Sequence, residues 1–264
     1  MVHNSLTSLS LTDPDSKLMR TSREGFIPAY NIETVVDEKN HMIALMEVTQ
    51  HGTDMGMLSI MTEEVADEYG IYPGKSIADA GYYDPVDIKK AEEHTETFVS
   101  IPVGKRDLDP IKFTYDKDHD EYTCTMGRVL SLTAKGVMKR SRPTDLYRSK
   151  DCSGCSLKKI CTGSSKGRTY YRYYDEGEIK AYKLKMNESK SRALLFLRRT
   201  IAEHPFGTLK FLMGKIPILL RGKQKVQTEF NIYATVYNLK RLIALEPFPS
   251  LMQRLEGFRW NKPS

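Results

Sequence analysis

Two kinds of apolar spacing alternate along the chain and predict most of its elements. From Ala29 to Asp37 (AYNIETVVD) and from His41 to Thr49 (HMIALMEVT), β-branched and apolar residues flank Glu38-Lys39-Asn40, which predicts a hairpin. Met57, Ile60, Met61 and Val65 then recur at helical spacing opposite Glu63, Glu64, Asp67 and Glu68, so a helix is predicted to Tyr69, with Asp54 as its cap. Gly74–Tyr82 (GKSIADAGY) predicts a short buried strand carrying Asp79 to its carboxyl edge. Asp84-Pro85 opens a helix to Glu96, and Thr97–Val103 (TFVSIPV) reads as a strand that Pro102 places near a sheet edge. From Tyr182 a helical pattern runs to Leu245, broken at Pro205, Pro217 and Gly222. Its last part, Lys225–Leu245, is predicted to turn Val226, Ile232, Val236, Leu239 and Ile243 inward. Residues 1–28 look irregular, with a turn at Asp13-Pro14-Asp15.

Between Asp107 and Tyr174 the pattern fades into a stretch rich in Lys, Ser, Gly and Tyr that holds all four cysteines, and reads as an insertion rather than part of the sheet. The expected organisation is therefore 1–106, an insertion over 107–181, and a helical part over 182–264. Cys124, Cys152, Cys155 and Cys161 are spaced C-x27-C-x2-C-x5-C. In a cytosolic chain such thiols point to a metal before disulfides. A structural zinc, an iron–sulfur cluster and free cysteines all stay open.

Charge sharpens this division. Residues 1–134 hold 12 basic and 24 acidic side chains, net −12, and residues 135–264 hold 28 and 10, net +18, which together give +6. The basic half suits a polyanion, most of all over Lys135–Arg172 with 11 basic and 2 acidic residues. No apolar run is long enough to span a membrane and the N-terminus has no signal pattern, so a cytoplasmic chain without a membrane partner is expected.

Candidate chemistry centres on Ser191–Lys210. Arg199, Glu203, Phe206 and Lys210 fall on one helical stripe, either as a solvated ion-paired face or as a metal-binding carboxylate beside phosphate contacts. Asp79 has two readings as well, a ligand at a strand's carboxyl edge or an Asx cap on the following turn.

These features resemble the DDE transposases of bacterial insertion sequences. The matching residues are Ala78-Asp79-Ala80-Gly81-Tyr82 and the C-terminal signature of an aromatic, Arg, Glu and Lys at Phe196, Arg199, Glu203 and Lys210, with Phe196 standing where Tyr is usual. Tyr30-Asn31, Phe206-Gly207, Arg221-Gly222 and Tyr237–Arg241 fit one subgroup. The resemblance implies a ribonuclease H-like mixed α/β sheet flanked by helices, with the basic cysteine-containing insertion before the C-terminal helices. It implies DNA transposition by metal-dependent strand cleavage and transfer, two divalent ions (Mg²⁺ or Mn²⁺) about 4 Å apart, and Asp79 and Glu203 as catalytic metal-binding carboxylates. Arg199 and Lys210 would contact DNA. The expected partners are double-stranded DNA at transposon ends and a second copy of the chain in a homodimer.

The family's first catalytic aspartate sits on a strand before the hairpin, where this sequence shows only irregular residues. An N-terminally truncated, inactive form is therefore expected. The alternative is a zinc-stabilised nucleic-acid-binding or regulatory protein without catalysis; an ordinary nuclease is a third reading.

Overall fold

In a computed structural model, the residues described are 10–21, 25–102, 111–139, 142–149, 151–214 and 218–256. Strands β1 (Lys17–Thr21), β2 (Gly25–Ala29), β3 (Asn31–Val36) and β4 (Ile43–Thr49) lead to helix α1 (Met57–Tyr69), strand β5 (Lys75–Ala78), helix α2 (Pro85–Ala91) and strand β6 (Glu96–Val99). Next come β7 (Phe113–Asp116), β8 (Glu121–Cys124), β9 (Val129–Lys139), β10 (Arg142–Ser149), the short helix α3 (Lys158–Cys161) and β11 (Thr169–Tyr173). Helices α4 (Glu176–Asn187), α5 (Ser189–Met213), α6 (Lys223–Leu245) and α7 (Phe248–Glu256) follow. The chain divides into two compact units, Met1–Ser100 with Glu188–Ser264, and Ile101–Asn187.

In the first unit β3 and β4 form the predicted antiparallel hairpin, Thr34 opposite Met46. Asp37 closes its turn by accepting hydrogen bonds from the amides of Lys39 (3.1 Å) and Asn40 (2.8 Å). A second ladder pairs β5 with β6 in parallel, α2 making the crossover. Asp84 caps α2 through the Val86 amide, as expected, but α2 ends at Ala91 because Glu96 already pairs in β6.

Helix α6 packs on β4, and its buried face differs from the predicted one. Val226, Phe230, Tyr233 and Tyr237 are buried with Ile43 and Val48, whereas Ile232, Val236, Leu239 and Ile243 are exposed. Two amide side chains decide between these competing stripes. Gln227 accepts from the Val48 amide (2.7 Å) and donates to the Met46 carbonyl (2.6 Å), while Asn238 accepts from and donates to the Ile43 backbone, both at 2.8 Å. They satisfy edge groups of β4 that water or another strand would otherwise meet, and they fix the helix rotation.

Three other expectations are corrected here and one is extended. Residues 17–21 and 25–29 are not irregular but form an antiparallel ladder, β1 with β2, in which apolar residues fall on both faces, Met19 buried but Leu18 and Phe26 exposed, so no alternation shows. The turn at Asp13–Asp15 is present, yet its main contact is remote: Asp13 accepts from the Gly222 amide (3.2 Å) and Asp15 from the Lys223 amide (2.9 Å), so it caps α6. Asp54 does not cap α1; Gly56 occupies that position, and Asp87 of α2 accepts from the Leu58 amide (2.8 Å) instead, with Ile60 left exposed. Finally, α5 runs unbroken through Pro205, whose ring is fully buried, because core packing outweighs the one lost backbone bond. The predicted break at Pro217 lies outside the described residues.

The second unit also departs from expectation, since the stretch read as loop-rich holds the largest sheet. Its five antiparallel strands run in the order β11-β10-β9-β8-β7. Alternation is carried by tyrosine rather than aliphatics: Tyr122, Leu130 and Tyr147 are buried, with Phe113, Tyr115 and Tyr170 packed on them. Asp120 accepts from the hydroxyls of Tyr147 (2.6 Å) and Tyr115 (2.8 Å), and Arg172 lies 4.0 Å over the Tyr115 ring. Among the described residues no helix is long and apolar enough to cross a membrane.

Candidate functional site

Asp79 stands where β5 ends and the chain tightens into the turn Ala80–Tyr82. One carboxylate oxygen accepts from the Gly81 amide (2.8 Å), the Asx cap considered above, and the other accepts from Arg198 Nη2 of α5 (3.0 Å). Gly81 is needed for space: a Cβ there would lie 2.6 Å from Asp54 Oδ2 and 3.0 Å from Asp79 Oδ1. Two carboxylates therefore approach one another around a bare backbone position.

A third completes the group. Asn31 Nδ2 donates to both Asp54 Oδ1 (2.7 Å) and Glu33 Oε1 (2.9 Å), and the Tyr82 hydroxyl donates to Glu33 Oε2. Glu33 is 1% exposed. Burial pushes its carboxyl above the ordinary glutamate value and the charges of Asp54 and Asp79 add to that, against the Tyr82 hydrogen bond. Burial and Glu33 together push the Tyr82 hydroxyl upward.

Glu33, Asp54, Asn31 and Arg198 were not singled out as site residues by sequence reasoning. One signal was available: Glu33 is an acidic side chain within the run NIETVV, where a solvated strand face has no need of burial.

Glu203 occupies a different face. It pairs with Arg199 (3.4 Å), and the two side chains are 67% and 78% exposed, the i,i+4 pair of a solvated stripe. Phe196 and Lys210 are exposed on that stripe, whereas Ser191, Ile201, Pro205 and Leu209 are buried. Arg198 and Glu203 are five residues apart, about 140° around a helix. Among the described contacts none joins Asp79 to Glu203, and no three His, Cys, Asp or Glu side chains are grouped so as to hold a metal ion.

The four cysteines do converge: Cys124, Cys152, Cys155 and Cys161 line one cavity in the second unit.

Residues 123–243 match a family model described as transposase DDE domain. Over this span the chain is similar to transposase DDE domains. The matched span includes the cysteines, Arg199, Glu203, Lys210 and most of α6, while Asp79 and its neighbours lie upstream of it. No curated protein and no solved structure matches the chain.

Proposed function

We propose that the chain is a DNA transposition protein that holds duplex DNA through its basic half and, in the arrangement described, does not cut it. The match to a transposase DDE domain model supports the DNA partner, and the +18 net charge of residues 135–264 supplies the phosphate contacts that release counterions. Arg199 and Lys210, exposed together on α5, are assigned to the DNA backbone.

One observation carries the absence of cutting: the two carboxylates assigned to catalysis are each paired with an arginine, Asp79 with Arg198 and Glu203 with Arg199. A divalent ion needs several oxygen ligands aimed at one point. Here both oxygens of Asp79 and of Glu33 and one oxygen of Asp54 already accept from Arg198, Asn31, Tyr82 and a backbone amide, and among the described residues no three such side chains are grouped to hold an ion, so the residues as arranged do not fit it. In the catalytic reading, Asp79 and Glu203 serve as the metal carboxylates of a ribonuclease H-like core. It requires Arg198 to release Asp79 and Glu203 to leave the solvent face of α5.

The test uses the purified chain with labelled duplex DNA, with and without Mg²⁺ or Mn²⁺. Retarded DNA whose affinity falls steeply with salt, and no cleaved strand, is the expected result. Metal-dependent cleavage that Glu203→Gln abolishes would overturn the non-cutting form, and absence of any DNA binding would overturn the whole reading.

A further inference from the structure

We propose that Cys124, Cys152, Cys155 and Cys161 bind one zinc-class ion through four thiolates, a site independent of the DNA reading above. The residues span 37 positions of sequence yet line a single cavity of about 20 Å³, room for one water-sized body. None of the four is in a disulfide.

The backbone around each sulfur is shaped for convergence. Cys124 ends β8 and its carbonyl accepts from the Gly127 amide (2.8 Å), with Gly127 at φ +70. Cys152 and Cys155 flank Ser153-Gly154, and Gly154 has φ +65. A glycine in the left-handed region lets the chain double back, so that residues on either side of it can face one point. Cys155 accepts from the Lys158 amide (3.1 Å), opening α3, which Cys161 closes. Opposite them Gly167, at φ +92, leaves room that a Cβ would fill, since that atom would lie 3.1 Å from Cys152 Sγ.

The lining selects the class of ion. It contains four thiols, the Met126 thioether and no carboxylate, which suits zinc and its soft neighbours and disfavours Mg²⁺ or Ca²⁺. Four thiolates around a divalent cation leave two net negative charges, and Arg128, Lys158 and Arg168 line the same cavity to offset them. Among the described residues no three ligands already stand in metal-holding reach, so loading must draw the thiols inward. All four lie on turns or at element ends, where side-chain rotation and small loop shifts suffice. The loaded site would tie the β8–β9 turn to the segment between β10 and β11, in a unit whose buried hydrophobic core cluster is Tyr122, Leu130 and Tyr147.

The full chain, purified reduced and exposed to zinc, is dialysed and its metal content measured, and Co²⁺ is then substituted for spectroscopy. The expected result is one zinc per chain, thiolate-to-cobalt charge-transfer absorption with tetrahedral ligand-field bands, and loss of both in Cys152→Ser/Cys155→Ser. Removal of the ion by chelator should lower the unfolding midpoint of the second unit. If the double variant fails to fold, the cobalt spectrum of the unaltered chain still decides. A folded, reduced chain that retains no zinc, that takes up iron with sulfide instead, or whose cysteines pair as disulfides by mass spectrometry overturns the proposal.

Discussion

The carboxylates around Gly81 and the cysteines of the second unit are both clusters of ligand-type side chains, and they are completed in opposite ways. Asp79, Asp54 and Glu33 are met by Arg198, Asn31 and Tyr82, so the chain itself supplies the donors that neutralise and orient them. The four cysteines surround a small void lined by basic groups instead. The difference teaches that gathering ligands is not the same as making a site. A group whose oxygens are already bonded is structure until something removes the bonds, whereas a ring of sulfurs around a void leaves space for an ion to enter.

Four measurements would break or sharpen that comparison. The largest effect is expected from Tyr147→Ala, which empties the centre of a small aromatic core and leaves Asp120 without one of its two hydroxyl donors. It should cost about 3–5 kcal/mol and melt the second unit, read as loss of amide-exchange protection in β7–β11 with β3 and β4 still protected. Protection lost equally everywhere would mean that the two units do not unfold separately.

Next comes Glu33. Glu33→Ala leaves the Tyr82 hydroxyl without an acceptor in a buried place and the Asn31 amide with Asp54 alone, and should cost about 1–3 kcal/mol, while Glu33→Gln keeps an acceptor and should cost less. The pH dependence has a definite sign. Glu33 titrates above its unfolded value, so it favours the folded state fully below that value and loses this contribution as pH rises through the folded one. In Glu33→Gln the unfolding free energy should fall less with pH across that window; an unchanged slope would show that Glu33 is not raised.

Arg198→Met removes a partly exposed partner from Asp79 and should cost about 1 kcal/mol or less. Its sharper readout is metal: isothermal titration with Mn²⁺ should show tighter binding once Asp79 is released, and no change would mean that Arg198 does not guard that carboxylate. Arg199→Ala breaks an exposed i,i+4 pair and should move stability by less than about 0.5 kcal/mol. Its effect belongs in DNA affinity at low salt.

Legibility tracked the distance over which each residue's partner lies. The β3–β4 hairpin, the strand leading to Asp79 and the Asp84 cap of α2 were legible because turn residues, caps and alternation are local, whereas the end of α2 was not. The Asx turn at Asp79 and the Arg199–Glu203 pair, both set within four residues, were each one of two readings that spacing left open, and the resemblance to transposases favoured the other. The buried face of α6 was misread because two apolar stripes competed and Gln227 and Asn238, which choose between them, bond to β4 some 180 or more residues earlier. The strands of the second unit were missed because Tyr alternates there with charged residues, so hydropathy stays low while the pattern has period two.

Sequence by itself determined the likeness to DDE transposases, the split between an acidic and a basic half, and the short-range elements. These follow from residue order and nearest-neighbour sterics. Tertiary structure alone decided that Arg198 rather than Glu203 meets Asp79, that Glu33 and Asp54 join it, and that four cysteines up to 37 positions apart line one cavity. The reason is physical: which face a helix buries is a global packing choice, and a rotation of about 140° on α5 exchanges an inward arginine for an outward glutamate.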